Sequence, residues 1–195
     1  KKVRFIEKFD QIYRAYNRHP VPSTRAVMFC IMDVSGSMSQ QRKDLAKRFF
    51  TLLYMFLNRN YSKVEIVYIR HHNTAKEVNH DEFFFSRETG GTVVSSALEM
   101  MLEIVKERFA TIGYNVYLAQ ASDGDNWLSD NERCRQILTR DILPIVAYMA
   151  YVEILSESPQ GLWKTYLEVR NNHPNIMGVG RIDTPKDVYP VLREL

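Results

Sequence analysis

The chain has 195 residues, 45% apolar and 12% aromatic, and its 26 Lys and Arg against 23 Asp and Glu leave a formal charge of +3. This composition excludes a chain disordered throughout, and the near balance of charge argues against a nucleic-acid binder driven by bulk charge. The longest purely apolar run, Ala26 to Met32, is far short of the roughly 18 residues a membrane span needs, and no signal-like segment opens the chain, so a soluble, cytoplasmic protein is expected.

The first 25 residues carry Lys1, Lys2, Arg4, Lys8, Arg14, Arg18 and Arg25 against Glu7 and Asp10, and read as a basic arm ahead of a single domain over residues 26–195. The chain does not begin with Met, as expected of a piece of a longer protein. Ala26 to Met32 reads as a strand buried on both faces, ending at Asp33. Leu45, Phe49, Leu52, Leu53 and Phe56 then recur at the spacing of one helical face. Val64 to Ile69 is the next strand, with Thr74 to Val78 as its hairpin partner across His71, His72 and Asn73. Residues 81–88 read as a loop whose phenylalanines tuck beneath it.

Gly90 and Gly91 break the chain, and Val94, Ala97, Leu98, Met101 and Val105 mark a second amphipathic helix with Thr92 at its start. Asn115 to Ala121 is a further strand, closed by Ser122, Asp123, Gly124, Asp125 and Asn126. A polar helix over roughly 129–140 and a strand over Ile145 to Val152 follow. The last third carries a helix near Leu162 to Arg170, a strand at Ile176 to Val179 and a helical turn after Pro185. Alternation of this kind predicts a parallel α/β sheet with helices on both faces. Cys30 and Cys134 are too few for a disulfide framework or a Cys-rich zinc site.

Three loops carry hard oxygen donors where strands end or helices begin: Asp33-Val34-Ser35-Gly36-Ser37, Gly90-Gly91-Thr92 and Ser122-Asp123-Gly124-Asp125. Open α/β sheets bind ligands beyond the carboxyl ends of their strands. The donor types suit Mg²⁺ or Mn²⁺, which takes oxygen ligands and needs only one or two carboxylates. Asp33 and Asp123 supply charge, and Ser35, Ser37 and Thr92 supply neutral hydroxyls. A cation held mostly by hydroxyls and water stays electrophilic, so an acidic side chain from another protein would complete its coordination.

Asp33-x-Ser35-x-Ser37 after a buried strand, Thr92 at a helix start and Asp123-Gly124 after a later strand resemble the metal-ion-dependent adhesion site of von Willebrand factor A domains. The resemblance spans about residues 26–193. It implies a three-layer, Rossmann-like, mostly parallel sheet. It also implies that the serines and Thr92 bind the ion directly, that the aspartates act largely through waters or hydrogen bonds, and that a partner's acidic side chain fills the open position. The wording AVMFCIMDVSGSM, HHNTAKEV, GGTVVSSAL and AYVEI further resembles the bacterial YeaH/YhbH group. That likeness implies longer cytoplasmic proteins with this domain at the C-terminal end, encoded beside a serine protein kinase and linked to stress adaptation or sporulation.

Each residue also has a plainer reading. Ser35, Ser37 and Thr92 could be helix N-caps. Asp125 is either a rim carboxylate or a solvated loop residue, and Trp127 is either an exposed partner anchor or buried beneath the loop. Glu153 either approaches the metal face or pairs with an Arg. His71, His72 and His80 lack the spacing of a zinc site and read as a polar hairpin. No P-loop, GxGxxG or GxSxG elbow is present, so no catalytic constellation is expected. The leading expectation is a metal-dependent protein-binding module, with a serine protein kinase as candidate partner. Metal-dependent phosphoester hydrolysis and RNA binding through the basic arm are the alternatives.

Overall fold

The computed structural model describes residues 25–85, 90–109, 113–155 and 159–195; the basic arm otherwise lies outside the described residues. In chain order the elements are β1 (Arg25–Asp33), α1 (Gln40–Asn60), β2 (Lys63–His71), β3 (Ala75–Val78), α2 (His80–Phe85), α3 (Val94–Ile104), β4 (Tyr114–Ser122), α4 (Leu128–Ile137), β5 (Tyr148–Ile154), α5 (Gly161–Asn172), β6 (Met177–Ile182) and α6 (Val188–Glu194). They build one six-stranded sheet in the order β3-β2-β1-β4-β5-β6. Every neighbouring pair is parallel except the β2–β3 hairpin at one edge.

Strand β1 lies at the centre, and its sequence shows why. Eight of its nine residues are buried, as a strand covered on both faces requires. Its side chains divide by the two-residue period. Val27, Phe29 and Ile31 join a core with α3, α4 and α5, whereas Met28, Cys30 and Met32 join a second core with α1, α2 and α6. The three layers follow from this division.

Three boundaries differ from the sequence expectation. Residues His80–Phe85 form a short helix rather than a loop, with Phe83 and Phe84 buried. Six residues are too few to display a helical period. The polar helix α4 runs on as a π-helical turn over Leu138–Ile142, and β5 begins only at Tyr148, where its pairing with Tyr117 starts. Pro144, which cannot donate to a ladder, precedes the strand, and the apolar Ile145 and Val146 lie in the connection. Helix α3 similarly continues as a π-helical turn over Val105–Phe109.

Candidate metal centre

The first loop leaves the carboxyl end of β1. Pairing with β2 extends one step further, since Val34 N donates to the His71 carbonyl at 2.9 Å. Asp33 is fully buried, and its Oδ1 accepts the Ser35 backbone N–H at 2.7 Å. Its Oδ2 is also buried but has no hydrogen-bond partner. The Ser35 and Ser37 hydroxyls lie 3.1 Å apart, with Ser35 buried and Ser37 exposed. Neither caps α1. That role falls to Ser39, whose side chain accepts from Arg42 N.

The second loop is fixed by the turn after β2, because Val93 N donates to the His72 carbonyl at 2.8 Å. Thr92 is buried, and it is not the cap of α3 either: Val93 occupies that position and no side chain caps from it. The donors at the start of α3 are met from the far side instead. Val94 N reaches Asn126 Oδ1 at 3.3 Å, and Ser95 donates to Asp130 from both its backbone and its hydroxyl. A Cβ on Gly91 would lie 2.9 Å from Asn73 Oδ1 and 3.2 Å from Trp127 Nε1, so this loop packs closely against the third.

The third loop follows β4, which pairs directly with β1. Asp123 is buried. Its Oδ1 accepts the Asp125 N–H at 3.3 Å, and its Oδ2 accepts from Arg42 Nη1 at 2.9 Å. Gly124 turns the chain at φ +84°, and a Cβ there would collide with Glu153 Oε2. Its N–H donates to Ser122 Oγ, which lies 3.1 Å from the Tyr151 hydroxyl. Asp125 is exposed; Trp127 is 64% exposed and Leu128 82%, so Trp127 stands on the rim rather than beneath the loop.

The electrostatics report the same convergence. The Asp33 carboxyl is pushed up to about 7, chiefly by burial, against the Ser35 backbone N–H and hydroxyl that lower it; the charges of Asp123 and Asp125 raise it further. Three carboxylates from two loops therefore share one field, and the most buried of them has an oxygen without a partner.

Asp33, Ser35, Ser37 and Asp123 thus stand together at the carboxyl ends of β1 and β4, with Asp125 at the rim. The loop that carries Thr92 packs on Trp127 and Asn126 through its neighbours Gly91 and Val94. Among the described residues no three His, Cys, Asp or Glu side chains are grouped to hold a metal. A cation here would depend on the hydroxyls. The donor set fits a hard divalent ion, since it offers a buried carboxylate oxygen and hydroxyls not engaged as helix caps.

Other residues fall differently. Glu153 is fully buried, with Oε1 3.9 Å from Arg181 Nε, and belongs to the structural pairing. His71 is not part of a polar turn: it is the fully buried last residue of β2, and burial lowers its ring pKa to about 4. His80 packs edge-on against Tyr68 and Phe84. Arg42 also enters the site, although no motif in the sequence singles it out. Its one local signal is a cation in the first turn of a helix, where the dipole disfavours it.

Comparison with solved structures shows the fold. The ArnB paralog VWA2 from Sulfolobus acidocaldarius superposes with a TM-score of 0.55 at 14% identity, covering 86% of this chain and 44% of that one. Manganese-loaded Plasmodium vivax TRAP protein superposes with a TM-score of 0.57 at 13% identity, covering 87% of this chain and 72% of that one. Among sequences, a UPF0229 protein of Legionella pneumophila (strain Corby) is 54% identical over 193 residues, 99% of this chain and 46% of its own length. The UPF0229 protein of Saccharophagus degradans is 52% identical over 195 residues, again 46% of its length. The chain thus spans less than half the length of these relatives. The fold is of the von Willebrand factor A type, as the likeness of the Asp33-x-Ser35-x-Ser37, Thr92 and Asp123 motif to that domain implied. The family model described as "Protein of unknown function (DUF444)" matches residues 1–195, and the chain belongs to this DUF444/UPF0229 family.

Proposed function

We propose that the domain is a metal-dependent protein-binding module. Mg²⁺ or Mn²⁺ would be held by Ser35, Ser37 and Thr92, with Asp33 and Asp123 supplying charge and orientation, and an Asp or Glu of a cytoplasmic partner would complete its coordination. The observation that carries this reading is Asp33 Oδ2: a buried carboxylate oxygen without a partner, in the field of two further carboxylates and beside hydroxyls that no helix cap consumes. Such a group is unfavourable on its own and becomes favourable when a cation faces it. The manganese in the Plasmodium vivax TRAP protein structure supports the reading by analogy of fold.

Trp127 and Leu128 stand exposed at the rim, where an apolar contact beside the acidic residue would add area and orientation. A serine protein kinase acting in a stress or sporulation pathway is the partner we propose, on the resemblance to the YeaH/YhbH group. The test is capture of the purified kinase on immobilised domain in Mg²⁺, in EDTA, and in Mg²⁺ with Asp33→Ala. Retention in the first condition and loss in the other two is expected. Equal retention in all three would refute the metal-dependent mode.

A further inference from the structure

Arg42 is the third residue of α1, whose first turn contains no acidic side chain. A cation there opposes the helix dipole, so something beyond the helix must hold it. The guanidinium supplies the answer. Nη1 donates to the Ser37 carbonyl at 2.6 Å and to Asp123 Oδ2 at 2.9 Å, and Nη2 donates to the Leu155 carbonyl at 2.8 Å. One side chain, 24% exposed, thus ties the first loop, the third loop and the end of β5. Leu155 is the one non-glycine residue at positive φ among the described residues, at 47°. A backbone in that region is disfavoured for a branched side chain and persists only where its surroundings fix it.

The consequence is electrostatic. Asp33 and Asp123 together would match the charge of a divalent ion, leaving it little need of a further anion. With Arg42 bonded to Asp123, that pair is already neutral, and the buried Asp33, with only the solvent-screened Asp125 at the rim, is left to offset the metal. We propose that Arg42 sets the site's dependence on its partner: by neutralising Asp123 it keeps resting metal affinity low, so that cation and external carboxylate bind cooperatively. The inference rests on the metal-site reading above and adds the residue that tunes it. Arg42 is a positioning and charge-balancing residue and does not touch the ion.

The two roles an arginine could have here predict opposite signs. An arginine that only braces the loops lowers metal affinity when it is removed; one that neutralises Asp123 raises it. The experiment measures Mn²⁺ binding by electron paramagnetic resonance for wild type, Arg42→Gln, Arg42→Met and Arg42→Lys, each with and without acetate as carboxylate probe, and with melting in EDTA to confirm folding. The neutral variants are expected to bind Mn²⁺ about three- to tenfold more tightly than wild type, after allowing for solvent screening, and to lose most of the acetate enhancement. Arg42→Lys, which keeps the charge, is expected to stay close to wild type. Unchanged or weaker Mn²⁺ binding in the folded neutral variants overturns this inference alone. Failure of wild type and every variant to bind Mn²⁺ at millimolar concentration overturns the metal-site reading and this inference with it.

Discussion

The substitution Asp33→Asn tests whether this aspartate is held in the fold against its own stability. The carboxyl has a pKa of about 7 in the folded protein against 3.8 ordinarily. The folded state therefore holds the proton more tightly than the unfolded chain, and stability is lost as pH rises from about 3.8 through 7. At 1.36 kcal/mol per pKa unit, the ionised form at pH 8 costs about 4 kcal/mol. The amide introduced by Asp33→Asn has no charge to bury and can still accept the Ser35 N–H. Its nitrogen, however, takes the place of an oxygen that has no partner, which returns about 1–3 kcal/mol. The metal-free variant should thus be more stable than wild type by about 1–3 kcal/mol at pH 8, and close to wild type at pH 4, where the wild-type carboxyl is protonated in the fold and its own O–H meets the same lack of a partner. Urea denaturation in EDTA at pH 4, 6 and 8 reads this directly as a gap between midpoints that closes as the pH falls. A variant destabilised equally at all three values would refute the assignment of burial as the dominant effect on Asp33.

Four further outcomes follow from the same structure. Mn²⁺ binding requires ionised Asp33, so the apparent affinity should fall by about tenfold for each pH unit below 7; calorimetric titration at pH 6, 7 and 8 checks it, and a flat profile contradicts it. Asp33→Asn should also abolish Mn²⁺ binding while raising stability at pH 8, a separation of function from folding that one sample can show. Gly124→Ala should destabilise the fold by about 2–4 kcal/mol, since it places an alanine in a left-handed conformation with its Cβ against Glu153 Oε2, and denaturant midpoints measure this. Trp127→Ala, at a residue 64% exposed, should shift stability by no more than about 0.5 kcal/mol yet weaken capture of the partner; an unchanged dissociation constant by surface plasmon resonance would remove Trp127 from the interface.

The features legible in the sequence were those with a strong local signature. Ala26 to Met32 read as a central strand because burial on both faces requires an unbroken apolar run, and the hairpin after Ile69 was marked by its turn. The Asp33, Ser35, Ser37 spacing was visible because a two-residue alternation just past a strand is itself a pattern. What escaped depended on partners distant in sequence. Arg42 reaches Asp123, 81 residues away, and nothing in the helical spacing of α1 distinguishes it from Lys43 or Arg48. The capping reading of Ser35, Ser37 and Thr92 likewise yielded only to coordinates, which assign the caps to Ser39 and Val93. His71 looked like a turn residue because its neighbours are polar, yet pairing with Asp33 draws it into the sheet.

The position of β1 between β2 and β4 has a consequence for how this protein comes into being. During synthesis β2 emerges soon after β1 and can cover one of its edges, while the other remains open until β4 has been made. That edge belongs to an apolar strand, the kind that invites pairing with a second molecule. Asp123 follows β4 directly, so the carboxylates cannot meet before the open edge has closed. Cation capture would then be reserved for chains in which β4 has closed that edge, making it a mark of correct pairing at the centre of the sheet.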